Sequence, residues 1–210
     1  MNWTEYKELS EKTLSTQFHC DDKKIELLLH ATMGILTEVE ELLDNHIGHN
    51  EKEANLDPVN ILEEVGDVAW YLAIIGRMYD IAPVETTILT KPGKQLNIII
   101  AIIKETTKML DMLKKKLFYN KPIDDETFKA SSMLVMSFIQ DYMGHFDIKI
   151  KDSFDINIAK LKARYGDKFT SEKAINRDLK TERSILEGNS IPSGGFEGMI
   201  NGGTSQHYLD

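Results

Sequence analysis

The amino-acid sequence predicts an all-α protein, an antiparallel helix bundle built as one domain. Apolar residues recur with the helical period along most of the chain, and no alternating pattern typical of a strand runs beyond a few residues. Helix start and stop signals divide the chain into four to six segments with short connections, which favours an antiparallel bundle. A chain of 210 residues, 41% of them hydrophobic, is long enough to bury one core.

Three helices are predicted in the first part of the chain. The first is amphipathic and covers about residues 3–17. The second starts after Asp21 and Asp22, whose carboxylates suit a helix N-terminus, and ends near residues 46–48. Residues 48–56 are polar and predict a loop. The third helix begins at Asp57–Pro58, an N-cap acid followed by a proline in the first turn, and runs to about Tyr79.

Three further helices are predicted after the break at Lys91–Pro92–Gly93. They cover about residues 94–118, 124–144 and 154–164. After Gly188 the chain is rich in Gly and Ser and poor in aliphatic residues, so residues 188–210 are predicted to form a flexible tail.

Charge and composition exclude several classes of function. The formal net charge is -9 and the pI about 5.2, which argues against a broad nucleic-acid surface. The most apolar run, residues 96–103, is far too short to span a bilayer. The N-terminal residues lack the apolar core of a secretory signal. Cys20 is the single cysteine, so nothing indicates an oxidising compartment, and we expect a cytoplasmic protein without a membrane partner.

Two acidic stripes are the strongest functional signal. Glu38 and Glu41 stand three residues apart in the second predicted helix, and Glu64 and Asp67 have the same spacing in the third. Residues three apart share one helix face. Extending each stripe by helical turns gives His30, Gly34, Glu38, Glu41 and Asn45 on one helix, and Asn60, Glu64, Asp67 and Tyr71 on the other. Gly66, inside the third helix, indicates close approach of a neighbouring helix.

Packing the two stripes together would cluster four carboxylates. Such a cluster repels itself and has raised pKa values unless a cation compensates the charge. Oxygen ligands of this kind suit Mg²⁺, with Mn²⁺ as a substitute. The alternative is that the acids simply face solvent, as most Glu-rich helix faces do.

Three segments, in this order, resemble the motifs of MazG-like nucleotide pyrophosphohydrolases of phages and bacteria. The first is residues 30–44, HATMGILTEVEELLD, and the second is residues 60–72, NILEEVGDVAWYL. The third is residues 157–169, NIAKLKARYGDKF, followed by Asn176–Arg177–Asp178. The resemblance covers roughly residues 25–82 and 154–187. It departs from the family at Thr37, where an acid often stands, and in about seventy extra residues, 85–153, which are expected to form an inserted helical hairpin.

The resemblance implies an all-α NTP pyrophosphatase bundle, usually a homo-oligomer (dimer or tetramer), covering residues 1–187. It implies hydrolysis of a nucleoside triphosphate to the monophosphate and pyrophosphate with Mg²⁺. The implied metal ligands are Glu38, Glu41, Glu64 and Asp67. Glu38 is the expected general base, although Glu41 could serve equally. The implied substrate-binding residues are Tyr71, Asn157, Lys160, Arg164 and Tyr165.

Two alternatives remain open at this stage. The same fold could act as a dUTP-type or phosphoribosyl-nucleotide pyrophosphohydrolase. The chain could instead be a non-catalytic helical interaction module, with its acids on the surface and its apolar hairpin facing a partner.

Overall fold

The computed structural model describes residues 2–20, 22–52, 56–84, 94–146, 148–166 and 168–188. These residues form eight α-helices and contain no β-strand, which confirms the all-α prediction. The helices are α1 (Trp3–Glu11), α2 (Lys23–Lys52), α3 (Pro58–Tyr79), α4 (Gln95–Tyr119), α5 (Asp125–Gly144), α6 (Ile150–Tyr165), α7 (Ser171–Ile175) and α8 (Leu179–Gly188). The predicted tail, apart from Gly188, lies outside the described residues.

Local signals explain where several helices begin and end. Asp57 accepts hydrogen bonds from the backbone N–H groups of Val59 and Asn60 and so caps α3, as its position before Pro58 predicts. Asp124 caps α5 in the same way through the N–H of Thr127. Helices α3 and α4 end at Asp80 and Asn120, which adopt the left-handed conformation with φ of 51° and 52°.

Several predicted boundaries were wrong. Helix α1 ends at Glu11 instead of near residue 17, because none of its side chains is buried against another described helix that would hold further turns in place. Helix α2 continues through the predicted loop to Lys52, and α6 begins four residues before the predicted start. Helices α7 and α8 were not predicted, because few apolar residues mark their periodicity.

The long helices pack in pairs around a central one. Helix α3 lies antiparallel against α2 on one side and α6 on the other, and α5 also contacts it. Helix α8 packs on α6 and α3, and α7 packs on α6. Gly66 allows the α3–α6 approach, since a Cβ there would stand 3.0 Å from the Cβ of Asn157. Among the described residues, no helix combines the length and apolar character needed to cross a bilayer.

Helices α4 and α5 make up most of the segment expected as an inserted hairpin; residues 85–93 lie outside the described part. The two helices pack against each other, α4 also packs on α2, and α5 also packs on α3. One face of the apolar run in α4 is in the core, with Ile98, Ile99 and Ile102 at most 1% exposed. Ile100 lies on the opposite face and is 46% exposed. The pair therefore extends the bundle core.

Candidate active site

The two predicted stripes face each other along the α2–α3 interface. At one end, His30 and Gly34 of α2 meet Tyr71 of α3; the His30 and Tyr71 ring centroids are 5.6 Å apart. At the other end, Asn45 Nδ2 donates to Asn60 Oδ1 at 2.7 Å. This antiparallel register brings the acidic residues of the two helices opposite each other.

Three carboxylates converge between these ends. One oxygen from each of Glu38, Glu41 and Glu64 lies within 4.8 Å of the other two. Glu64 is buried and Glu41 is exposed, so the cluster extends from the core to the surface. Asn60 Nδ2 donates to Glu64 Oε1 at 2.7 Å and thereby fixes its orientation. The group can hold a divalent cation through oxygen ligands.

The pKa values of the clustered carboxyl groups are raised, as expected where several carboxylates lie together without enough positive charge to balance them. Burial, followed by the charges of Glu41 and Glu38, raises the pKa of Glu64 to about 10. Burial and the charge of Asp67 also raise the pKa of Glu38. A carboxylate kept neutral in this way either retains a proton or exchanges it for a cation.

Asp67, the fourth predicted metal ligand, is engaged by helix α6. Lys160 Nζ lies 2.5 Å from one of its oxygens, and Asn157 Nδ2 donates to the other at 2.5 Å. The Lys160 side chain is fully buried and also lies 3.1 Å from Glu63 Oε1. The structure thus gathers three carboxylates, and places Asp67 beside them in an ion pair with a buried lysine.

An open cleft of about 390 Å³ lies over the carboxylates. Arg177 and Arg183 are its cationic side chains, and each is roughly two-fifths exposed. Arg183 contacts Asp57 at the start of α3, with Nη1 2.9 Å from Oδ2. Acidic and basic groups therefore face one solvent-filled space. The cleft is lined by Glu38, Glu41, Asn60, Glu63, Glu64, Asp67, Arg177, Leu179, Glu182 and Arg183.

A buried carboxylate on α8 organises this basic side. Glu182 accepts two hydrogen bonds from Arg164, from Nε at 2.7 Å and from Nη2 at 2.6 Å. It also accepts two from Arg177, from Nη2 at 2.8 Å and from Nε at 3.2 Å. Burial alone would raise the pKa of Glu182, but the two guanidinium groups lower it below its usual value. Glu182 thus orients Arg177 toward the cleft.

The predicted substrate-binding residues lie behind the cleft surface. Lys160 and Asn157 hold Asp67, and Arg164 holds Glu182. The guanidinium of Arg164 also lies 5.6 Å from the ring centroid of Tyr165. Lys160 and Arg164 are thus paired with carboxylates of neighbouring helices, and neither is among the residues that line the cleft. Their role in substrate binding stays a prediction.

Tyr71 packs beneath the cluster. It is half-buried against Trp70 and His30. Burial and the nearby carboxylates of Glu38 and Asp67 raise its pKa. Tyr71 is thus close to the acids without lining the cleft.

The sequence interpretation gave no role to four residues of the cleft: Glu63, Glu182, Arg183 and Arg177, the last of which it named only within the string Asn176–Arg177–Asp178. For Glu182 and Arg183 the sequence did contain a usable signal, because Asp178 is an N-cap residue at the start of their helix, α8. Asp178 accepts hydrogen bonds from the N–H and the hydroxyl of Thr181. Glu63 carried no signal, because its role depends on a helix almost one hundred residues away.

Comparison of the chain with family models, with curated proteins and with solved structures finds no match.

Proposed function

We propose that the protein is a Mg²⁺-dependent nucleoside triphosphate pyrophosphohydrolase. The observation that carries this proposal is the convergence of Glu38, Glu41 and Glu64 within 4.8 Å in a cleft that also contains arginines. Carboxylates coordinate a hard divalent cation, while arginines form ion pairs with phosphate oxygens. Few ligands other than a metal–polyphosphate complex satisfy both sets of groups at once.

The donor set fits Mg²⁺. All three ligands are carboxylate oxygens, and Glu41 is exposed, so the site leaves open positions for water and phosphate. The buried Glu64 has no cationic side chain bonded to it among the described residues; its hydrogen-bond partners are Asn60 and Glu38. A divalent cation would supply the missing positive charge, and Mn²⁺ would serve in its place. When bound, it neutralises phosphate charge and makes water a better nucleophile.

The remaining residues take roles that follow from their contacts. Glu38, beside Glu64 and Glu41, is placed to orient or deprotonate the attacking water, and Glu41 shares the same helix face. Arg177 and Arg183 are paired with Glu182 and Asp57, but both line the cleft and remain about two-fifths exposed, so their remaining N–H groups would bind the phosphates and stabilise the charge on the departing pyrophosphate.

Helix α6 supports this constellation through its contacts. Lys160 and Asn157 hold Asp67 beside the triad, and Arg164 fixes Glu182, which orients Arg177. Asp67, held beside the triad, would be the fourth residue available to hold the metal. Tyr71 and Tyr165 lie near one another and near Arg164, on the side where a nucleoside would extend from the phosphates.

Pyrophosphate release from nucleoside triphosphates tests the proposal directly. We expect turnover with Mg²⁺ or Mn²⁺, none in EDTA, and production of the monophosphate. A panel that includes dUTP and phosphoribosyl nucleotides then defines the substrate. Absence of hydrolysis for the whole panel, with metal present and the protein folded, would favour the helical interaction module instead.

Glu41→Gln separates a metal site from a solvated acidic face. Replacing one ligand oxygen with an amide should reduce kcat/KM by on the order of 100-fold, because several kcal/mol of transition-state charge stabilisation depend on the metal. The matched control is Glu40→Gln, an exposed neighbour outside the cluster. Equal activity of the two variants would contradict the proposed role of the triad.

A further inference from the structure

Helix α1 has an apolar face with no partner. It packs on no other described helix, and none of its residues is buried. Trp3 and Tyr6 are 69% and 54% exposed, and their rings stack with centroids 5.6 Å apart. Leu9, one turn further on the same face, is 46% exposed. A helix of nine residues has only marginal stability in water by itself, so we expect this apolar face to pack against another surface.

A surface of matching character runs along α4. Two adjoining depressions of about 490 and 560 Å³ share Thr107 and Asp111 and form one channel, here called the α4 trough. It extends from Ile103 to Phe118, which is about 22 Å of helix and longer than the roughly 14 Å of α1. Its apolar lining includes Phe18, Leu29, Ile103, Leu110, Met112 and Phe118.

The chain after α1 is fixed at one end of this trough. Ser15 Oγ donates to the carbonyl of Phe118 at 2.8 Å, and the His19 N–H donates to the carbonyl of Leu117 at 2.7 Å. Phe18 packs edge-on against Phe118 at 5.7 Å. Helix α1 therefore leaves the body of the molecule where the trough ends.

The charges of the two surfaces are complementary. Helix α1 carries three glutamates, Glu5, Glu8 and Glu11, against one lysine, Lys7. The trough is lined by Lys104, Lys108 and Lys114. Lys108 pairs with Glu105, and Lys114 pairs with Asp111, the one acid among the lining residues, so this edge of the trough keeps a net positive charge. An acidic helix with an apolar stripe thus fits an apolar trough with a basic edge.

We propose that α1 of one molecule lies in the α4 trough of a second copy and that the second copy returns the same contact. Only Lys12, Thr13 and Leu14 separate α1 from the anchored Ser15. Such a short connection disfavours reversal of the helix onto its own trough and favours exchange between copies. The contact is two-fold symmetric, and its existence does not depend on the proposed activity.

Molar mass in solution tests the interface in the full chain. The wild-type protein should have twice the mass of the 24.0 kDa chain. The double variant Trp3→Ala/Tyr6→Ala should have the mass of one chain or a dimer Kd at least tenfold weaker. Thr107→Glu, which places an acid in the trough, should act similarly. The control Ile175→Ala removes an equally exposed apolar side chain from α7 and should leave the dimer intact. A monomeric wild type, or a dimer insensitive to both changes, would overturn the proposal.

Disulfide trapping tells a second copy from the chain's own trough. In a Cys20→Ser background, Leu9→Cys and Thr107→Cys are introduced into separate chains, which are mixed and oxidised. The exchanged arrangement gives a covalent dimer containing one chain of each kind, in excess over dimers of either alone. A chain carrying both cysteines should likewise link between molecules. A purely intramolecular disulfide in that chain would show α1 on its own trough and would disprove the exchange.

Discussion

Gly34 of α2 packs directly against the ring of Tyr71 in α3. A Cβ placed on Gly34 would stand 2.1 Å from Cζ of Tyr71, which is too close for any atom pair. The ring has little freedom to move, because Trp70 and His30 pack against it. A glycine therefore sets the distance between the helices that carry Glu38 and Glu64.

Gly34→Ala should destabilise the protein by about 1–3 kcal/mol, since overpacking forces the ring or the backbone to shift. Gly48→Ala, later in the same helix, is the matched control. Its added Cβ would meet nothing within 4 Å, so the higher helix propensity of alanine should stabilise the protein by up to about 1 kcal/mol. Urea unfolding measures both. Changes of the same sign would show that the Tyr71 contact does not limit this position.

The sequence predicted the two stripes of residues that face each other across α2 and α3, but not the partners of the fourth carboxylate. Helical spacing put Asn45 and Gly34 on one stripe and Asn60 and Tyr71 on the other, and the structure shows Asn45 meeting Asn60 and Gly34 meeting Tyr71. The ion pair between Asp67 and Lys160 could not be predicted in this way. It depends on how α6 crosses α3, with 93 residues between the partners.

Among the helices, α3 was predicted best from the sequence, and α8 was not predicted at all. Helix α3 was predicted within a residue at each end, because Asp57–Pro58 begins it and apolar residues recur throughout it. Helix α8 is only ten residues long and buries just Leu186 and Glu182, so it offers too few apolar positions for its period to be recognised. Its place is set by the contacts of one buried carboxylate with Arg164 and Arg177.

Glu182→Gln tests that contact. Losing the carboxylate leaves the guanidinium of Arg164 without its anionic partner and that of Arg177 with only the 3.7 Å contact to Glu63, which should cost about 1.5–3 kcal/mol of stability at pH 7. The control Glu187→Gln removes an exposed surface pair with Arg183 and should change stability by less than about 1 kcal/mol. Urea unfolding distinguishes them. A deficit no larger for Glu182→Gln than for the control would mean that α8 is held by other contacts.

The same variant predicts a pH dependence. The folded pKa of Glu182 lies below its ordinary value of 4.5, so its contribution is present above that value and is lost as the pH falls through the folded pKa. The stability gap between wild type and Glu182→Gln should therefore shrink in acid. Taking the difference between two proteins cancels the titration of the other carboxylates. A gap independent of pH would contradict the ion pair.

In the whole molecule, the α2–α3 pair that carries the carboxylates is supported from two sides. Helices α4 and α5 cover it with an apolar layer in which Ile99 and Phe128 are fully buried. Helices α6 and α8 cover the other side with ion pairs. The candidate site thus lies between an apolar layer formed by α4 and α5 and a set of ion pairs formed by α6 and α8. Only α4 and α5 belong to the segment expected as an insertion.

That arrangement predicts one cooperative unfolding unit. Ile99→Ala should lower the free energy of unfolding by about 2–5 kcal/mol, because it opens a cavity in the shared core. Ile100→Ala, on the exposed face of the same helix, should cost far less. In calorimetry, both variants should unfold in a single transition, and Mg²⁺ should raise its midpoint, since a ligand that binds only the folded state stabilises everything that unfolds with its site. If α4 and α5 were an independent appendage, Ile99→Ala would instead split off an early transition that Mg²⁺ does not shift.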